Sequence, residues 1–194
     1  MQQSEVLDIF KSCGAILEGH FILSSGLRSP VFLQKARVFQ FPDATSKLCK
    51  ALADAISKSE YGHADAIVSP AVGGIIPGYE TARHMKVRAM YVERVDGVFE
   101  LRRGFEVADG EKVIVVEDIV STGLSIRECI ESLEKQGIEV LAAACLIDRS
   151  AGEADIGKPL VSLIEYKVPA YEVDALPPEL ENIPPVKPGS RGLA

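Results

Sequence analysis

Two adjacent carboxylates, Glu117 and Asp118, follow the apolar run Val113-Ile114-Val115-Val116, and Ile119-Val120-Ser121-Thr122-Gly123-Leu124-Ser125 follows them. The run predicts a buried strand of a parallel sheet. Ile126, Cys129, Ile130 and Leu133 give helical spacing to a segment from Ser125 to Gln136, which Gly137 stops. In an open α/β sheet, ligands gather beyond the carboxyl ends of the strands. A small-residue turn entering a helix there leaves amide N–H groups without intrachain partners, and the helix dipole adds partial positive charge, an arrangement suited to phosphate. Ser121, Thr122 and Ser125 add hydroxyl donors, and Gly123 is expected to let backbone approach a ligand where a Cβ would intrude. The two acids would repel a bare phosphate but would hold the hydroxyls of a sugar phosphate, or face a divalent cation bound to it. The same residues also fit a strand ending in solvated acids before an ordinary capped helix, or a phosphoacceptor aspartate. Neither G-x-x-x-x-G-K-[ST] nor G-x-G-x-x-G occurs, so triphosphate and dinucleotide sites lack their usual support.

The elements that position this cradle alternate in type. Apolar residues at Val6, Ile9, Phe10 and Cys13 predict a helix within 4–17, weakened by Gly14. Two β-type runs around Ser24-Ser25-Gly26 predict a hairpin or hood, with Lys35 and Arg37 on a polar strand face beyond it. Phe41-Pro42-Asp43 opens a helix through about Lys58. Ala66–Ser69 is a strand, Gly73-Gly74 leads into a helix ending near His84, and Val87–Val92 is a further strand. Short β-like stretches flank Gly97 within 93–107, and strands at 140–147 and 161–164 complete the pattern. Strand–helix repetition predicts an α/β fold, an open, mostly parallel sheet flanked by helices. The hood occupies 1–40, the core 41–176, and a Pro-rich tail, extended and without helix, 177–194, all within one structural domain.

The chain has 194 residues, 47% hydrophobic and 25% charged, with a formal net charge of −7. That composition is globular, and the acidic balance argues against binding nucleic acid or an anionic membrane. No run reaches membrane-spanning length, and Met1-Gln2-Gln3-Ser4-Glu5 lacks a secretory layout, so a cytoplasmic protein is expected. Cys13, Cys49, Cys129 and Cys145 are widely separated, without metal-ligand spacing, and read as reduced core residues.

The stretch 113–125 resembles the phosphoribosyl-diphosphate (PRPP) signature of the type I phosphoribosyltransferases. Phe21-Ile22-Leu23-Ser24-Ser25-Gly26-Leu27-Arg28-Ser29-Pro30, Ser69-Pro70-Ala71-Val72-Gly73-Gly74-Ile75-Ile76 and Leu146-Ile147-Asp148-Arg149 resemble the orotate phosphoribosyltransferases specifically. The resemblance implies transfer of the phosphoribosyl group of PRPP to N1 of orotate, giving orotidine 5′-monophosphate and diphosphate in de novo pyrimidine synthesis. It implies that Glu117 and Asp118 contact the ribose hydroxyls, that Ile119, Val120, Ser121, Thr122, Gly123, Leu124 and Ser125 wrap the 5′-phosphate, and that Ser24, Phe32, Ser121 and Arg149 form the orotate pocket. Arg94, Arg102 and Arg103 would serve the diphosphate from a mobile loop shared across a homodimer, with Asp118 counted among the catalytic residues. Mg2+ would be held mainly by PRPP near Glu117 and Asp118, with no side chain dedicated to it. Many relatives carry a lysine in the second loop where this chain has Val72-Gly73-Gly74, and another where it has Val95. A base-facing arginine at 149 suits acidic orotate better than a neutral purine.

Overall fold

The computed structural model describes residues 1–23 and 25–188. Its core is a six-stranded sheet in the order β5-β4-β3-β6-β7-β8, formed by β3 (Ala66–Pro70), β4 (Arg88–Val95), β5 (Val98–Leu101), β6 (Lys112–Val120), β7 (Glu139–Asp148) and β8 (Leu160–Glu165). All pairings are parallel except β4 with β5. That exception is a hairpin whose Asp96-Gly97 turn has φ of 49° and 88°, the doubly positive geometry that right-twisted strands favour.

Strand pleating sorts the side chains of β6. Ile114 and Val116 enter one core with α1 (Gln3–Ser12), α2 (Pro42–Lys58) and the hood, and α3 (Ile75–Met85) packs on that face as well. Val113 and Val115 enter the opposite core with α4 (Leu124–Lys135). The hood is the antiparallel pair β1 (Ile16–Ile22) and β2 (Arg28–Leu33).

The sequence expectations hold for the sheet, with four corrections. The helix expected within 4–17 ends at Ser12, because Gly14 turns the chain at φ 64° and Ile16 already pairs with Leu33. β6 runs four residues past Val116, so the two acids belong to the strand itself. Lys35 and Arg37 lie in a 3-10 turn, Lys35–Gln40, and not on a strand face. The tail is extended but holds one helical turn, α5 (Pro178–Glu181); Pro178 sits where a helix needs no N–H from it. Cys49, Cys129 and Cys145 are buried, Cys13 is half-buried, and all four are free thiols.

α3 lies unusually close to β3, which sets where the loop before it can reach. A Cβ at Gly78 would fall 1.8 Å from Ser69 Oγ. Gly78→Ala is therefore expected to lower unfolding free energy in urea by about 1–3 kcal/mol through overpacking. Ser69→Ala in the same chain, by removing that oxygen, should recover part of the loss; an unchanged midpoint for Gly78→Ala would refute the close approach.

Candidate active site

At the carboxyl end of β6 the sheet and its loops enclose a cavity of about 190 Å³ lined by Glu117, residues 119–126 and Lys35. The helix that follows is α4, whose N-cap is Gly123 at φ 77° and ψ −5°. A Cβ on Gly123 would meet Ile156 Cγ2 at 2.7 Å and Ala154 Cβ at 3.1 Å. Glycine is thus required here by the left-handed backbone and by the loop after β7. Leu124 N–H donates to Thr122 Oγ1 at 3.4 Å, a loose hydroxyl cap on the turn. The first amides of α4 have no carbonyl four residues back within the helix, so this end of the cavity favours an anion.

Because neighbours on a strand point to opposite faces, the two acids meet different surroundings. Asp118 faces the hood side: its side chain is 1% exposed, Oδ1 accepts from Lys35 Nζ at 2.6 Å, and Oδ2 is buried without a partner among the described residues. Gly73, in the loop between β3 and α3, comes so near that a Cβ would lie 2.6 Å from that Oδ2. Glu117 faces the α4 side, and its Oε1 accepts from the Asp118 backbone N–H at 3.1 Å. Burial, followed by the negative charge of Asp118, pushes the Glu117 carboxyl from 4.5 up to about 8, with Lys35 opposing. Glu117 therefore keeps its proton near neutral pH, which lets two adjacent acids be buried together.

Arg149 stands at the end of the neighbouring strand β7, held by its N–H donating to Val120 O at 2.8 Å. The turn that presents it is shaped by Asp148, whose carboxylate accepts from Ser150 N–H at 2.7 Å, Ser150 Oγ at 2.6 Å and Gly152 N–H at 2.9 Å. Arg149 is half-buried, its Nε has no partner among the described residues, and burial pulls its guanidinium below the ordinary value. It is a fork-shaped cation awaiting an anionic or carbonyl-bearing group. Phe32, half-buried on β2, packs at 5.8 Å between ring centroids against Phe21. Ser24, expected beside it, lies outside the described residues.

The structure thus gathers Glu117, Asp118, Ile119, Val120, Ser121, Thr122, Gly123, Leu124 and Ser125 at one strand end. Lys35, overlooked in the sequence, joins them; its signal was only its position after the hood motif. The loop arginines are elsewhere in this chain. Arg94 stacks 4.1 Å over Phe99, donates to Gly97 O at 2.6 Å and pairs with Glu128 on α4. Arg103 makes a forked pair with Glu93 at 2.7 and 2.9 Å, from the next position along β4 and hence the other face of the ribbon. Arg102 is exposed. His20 is buried with Nδ1 2.8 Å from Ile183 O in the tail.

This geometry coincides with family likeness. A phosphoribosyl transferase domain model matches residues 43–175. Over all of both chains the protein is 65% identical to an orotate phosphoribosyltransferase of Maricaulis maris and 61% identical to one of Brucella anthropi. The crystal structure of orotate phosphoribosyltransferase from Aeropyrum pernix is 28% identical with a TM-score of 0.68, covering 82% of this chain and 93% of that one. Identity at that level over the whole length of both chains shows common descent, and the chain belongs to the orotate phosphoribosyltransferase family.

Proposed function

We propose that the protein binds PRPP with its 5′-phosphate at the β6–α4 turn and its ribose diol on Glu117 and Asp118, and transfers the phosphoribosyl group to N1 of orotate held by Phe32, Ser24, Ser121 and Arg149. The observation that carries this reading is the buried acid pair at the lip of an anion-suited cavity, with an unpartnered arginine fork one strand away.

The products are orotidine 5′-monophosphate and diphosphate. Bond breaking at C1 of the ribose leads bond formation, so positive charge develops on the sugar and negative charge on the leaving group. Asp118, buried and paired with Lys35, would orient the diol and favour the cationic sugar. Catalysis of this kind is positioning and electrostatics, with no covalent step for the protein. Among the described residues no three His, Cys, Asp or Glu side chains converge on one point. The adjacent acids fit a cation that brings most of its ligands with it, so Mg2+ is proposed to arrive on PRPP, near Glu117 and Asp118, and to offset the diphosphate charge.

The loop arginines support a homodimer. Phe105, two residues past Arg103, lines an apolar groove of about 740 Å³ with Ile76 and Tyr79 of α3, which are 48% and 63% exposed. A second copy seated there would cover that surface and receive Arg102 and Arg103 toward its own cradle. Sedimentation at twice the chain mass is expected; a monomer at assay concentration would contradict it. A reducing, cytoplasmic setting fits the four free cysteines.

Loss of orotate absorbance with PRPP and magnesium is the direct test, with adenine and uracil as controls; no orotate consumption would refute the reading. In that assay Asp118→Asn is expected to lower turnover more than about tenfold with the fold intact. Arg149→Ala should raise the KM for orotate far more than that for PRPP, and equal rises would remove its role as the base-reading residue.

Glu117 adds a pH dependence to the empty protein. Its folded value lies above its unfolded one, so its contribution to stability is complete below about 4.5 and is lost as pH rises through about 8. Glu117→Gln is expected to flatten that decline in melts between those limits. A slope equal to wild type would show that Glu117 is not held protonated.

A further inference from the structure

Lys35 belongs to none of the motifs that carry the family likeness, yet its ammonium reaches the acid pair. The 3-10 turn after β2 delivers it 83 positions along the chain to Asp118. Its side chain is 42% exposed, against 1% for Asp118, so the stem enters from the solvent side and the charged end is free to shift. It is also the one Lys or Arg lining the cradle cavity among the described residues.

The loop before α3 sharpens the point. On the β3 side of Asp118 stands Gly73, where a Cβ would lie 2.6 Å from Oδ2, so that loop brings backbone and no cation to the carboxylate. Lys35 meets the other oxygen of the same carboxylate. An incoming donor presents phosphate oxygens to a pocket walled by two acids, and repulsion there must be met by a positive group within reach. An ammonium has three donors on a flexible stem, so it can leave or bridge a carboxylate as a phosphate arrives. The ribose hydroxyls would then donate to the oxygen that Lys35 gives up, so that Oδ1 of Asp118 keeps a side-chain or ligand partner in both states.

We propose that Lys35 is a PRPP-binding residue that neutralises Asp118 when no donor is bound and passes to phosphate oxygens of the donor when it binds. This rests on the phosphoribosyl-transfer reading, whose own failure would show as wild-type protein that leaves orotate unconsumed.

Calorimetric titration with PRPP and magnesium, beside steady-state kinetics, tests the proposal in wild type, Lys35→Met and Lys35→Arg. Lys35→Met is expected to weaken PRPP binding about tenfold or more while the KM for orotate stays within about twofold, and Lys35→Arg to regain part of the PRPP affinity. Should Lys35→Met fold poorly, Lys35→Gln keeps the length and polarity without the charge and carries the same expectation. Wild-type PRPP affinity in a neutral variant would overturn the proposal. So would equal losses for both substrates, which would mark Lys35 as a prop for the fold around Asp118.

Discussion

Everything at this site follows from the burial of two neighbouring carboxylates at the end of the central strand. Two charges a residue apart in a dry place cannot both stand unaided. The strand resolves the conflict by its pleat: Asp118 turns to the hood side, where Lys35 meets it, and Glu117 turns toward α4, where it keeps a proton. Each solution draws on a different part of the molecule. The hood must deliver the lysine, and α4 must close over the other face. The position of the acids thereby ties together segments separated by most of the chain.

The same strand end organises the loops around it. Val120 O receives the N–H of Arg149, and Gly123 packs under Ala154 and Ile156, so the turn after β6 and the turn after β7 form one surface. Asp148 braces that surface with three hydrogen bonds from its own loop. The loop arginines contrast with it. Their partners, Glu93 and Glu128, sit on opposite faces of the β4–β5 ribbon, and the side chains are 61% exposed for Arg103 and 42% for Arg94. Exposed ion pairs are readily exchanged for other partners. The structure therefore sets a hydrogen-bonded pair of loops at the end of β6 and β7 against arginines held by exposed acids.

Strand and helix periodicity made the sheet legible from the sequence, and small-residue chemistry made the cradle legible. What escaped has physical causes. The end of β6 was misjudged because two acids read as the start of a loop, whereas burial between α4 and the hood keeps them in the strand. Gly123 was legible as necessary, but its contact with the loop after β7 was not, since Ala154 and Ile156 lie some thirty residues on. Lys35 was missed because its meaning is entirely tertiary: no local pattern tells a lysine after a hairpin that its partner is a buried aspartate.

The hood shows how a small element can hold a substrate pocket. A two-stranded hairpin is marginal alone, and β1 and β2 pair with no strand of the main sheet. The tail supplies what is missing. Val186 adds to the β1 edge, exchanging hydrogen bonds of 2.8 Å with His20 O and Ile22 N–H, while Tyr171 does the same for Arg28 on the β2 edge. His20 adds a bond from its buried ring to the Ile183 carbonyl, which requires the proton on Nδ1. Clamped on both edges, the hairpin carries Phe32 near the end of β2 and Lys35 two residues beyond it, so Tyr171 and the Pro-rich tail together set the placement of the Phe32 ring and of the ammonium on Asp118. Proline suits that segment because a clamp needs fixed, extended backbone that loses little entropy when it docks.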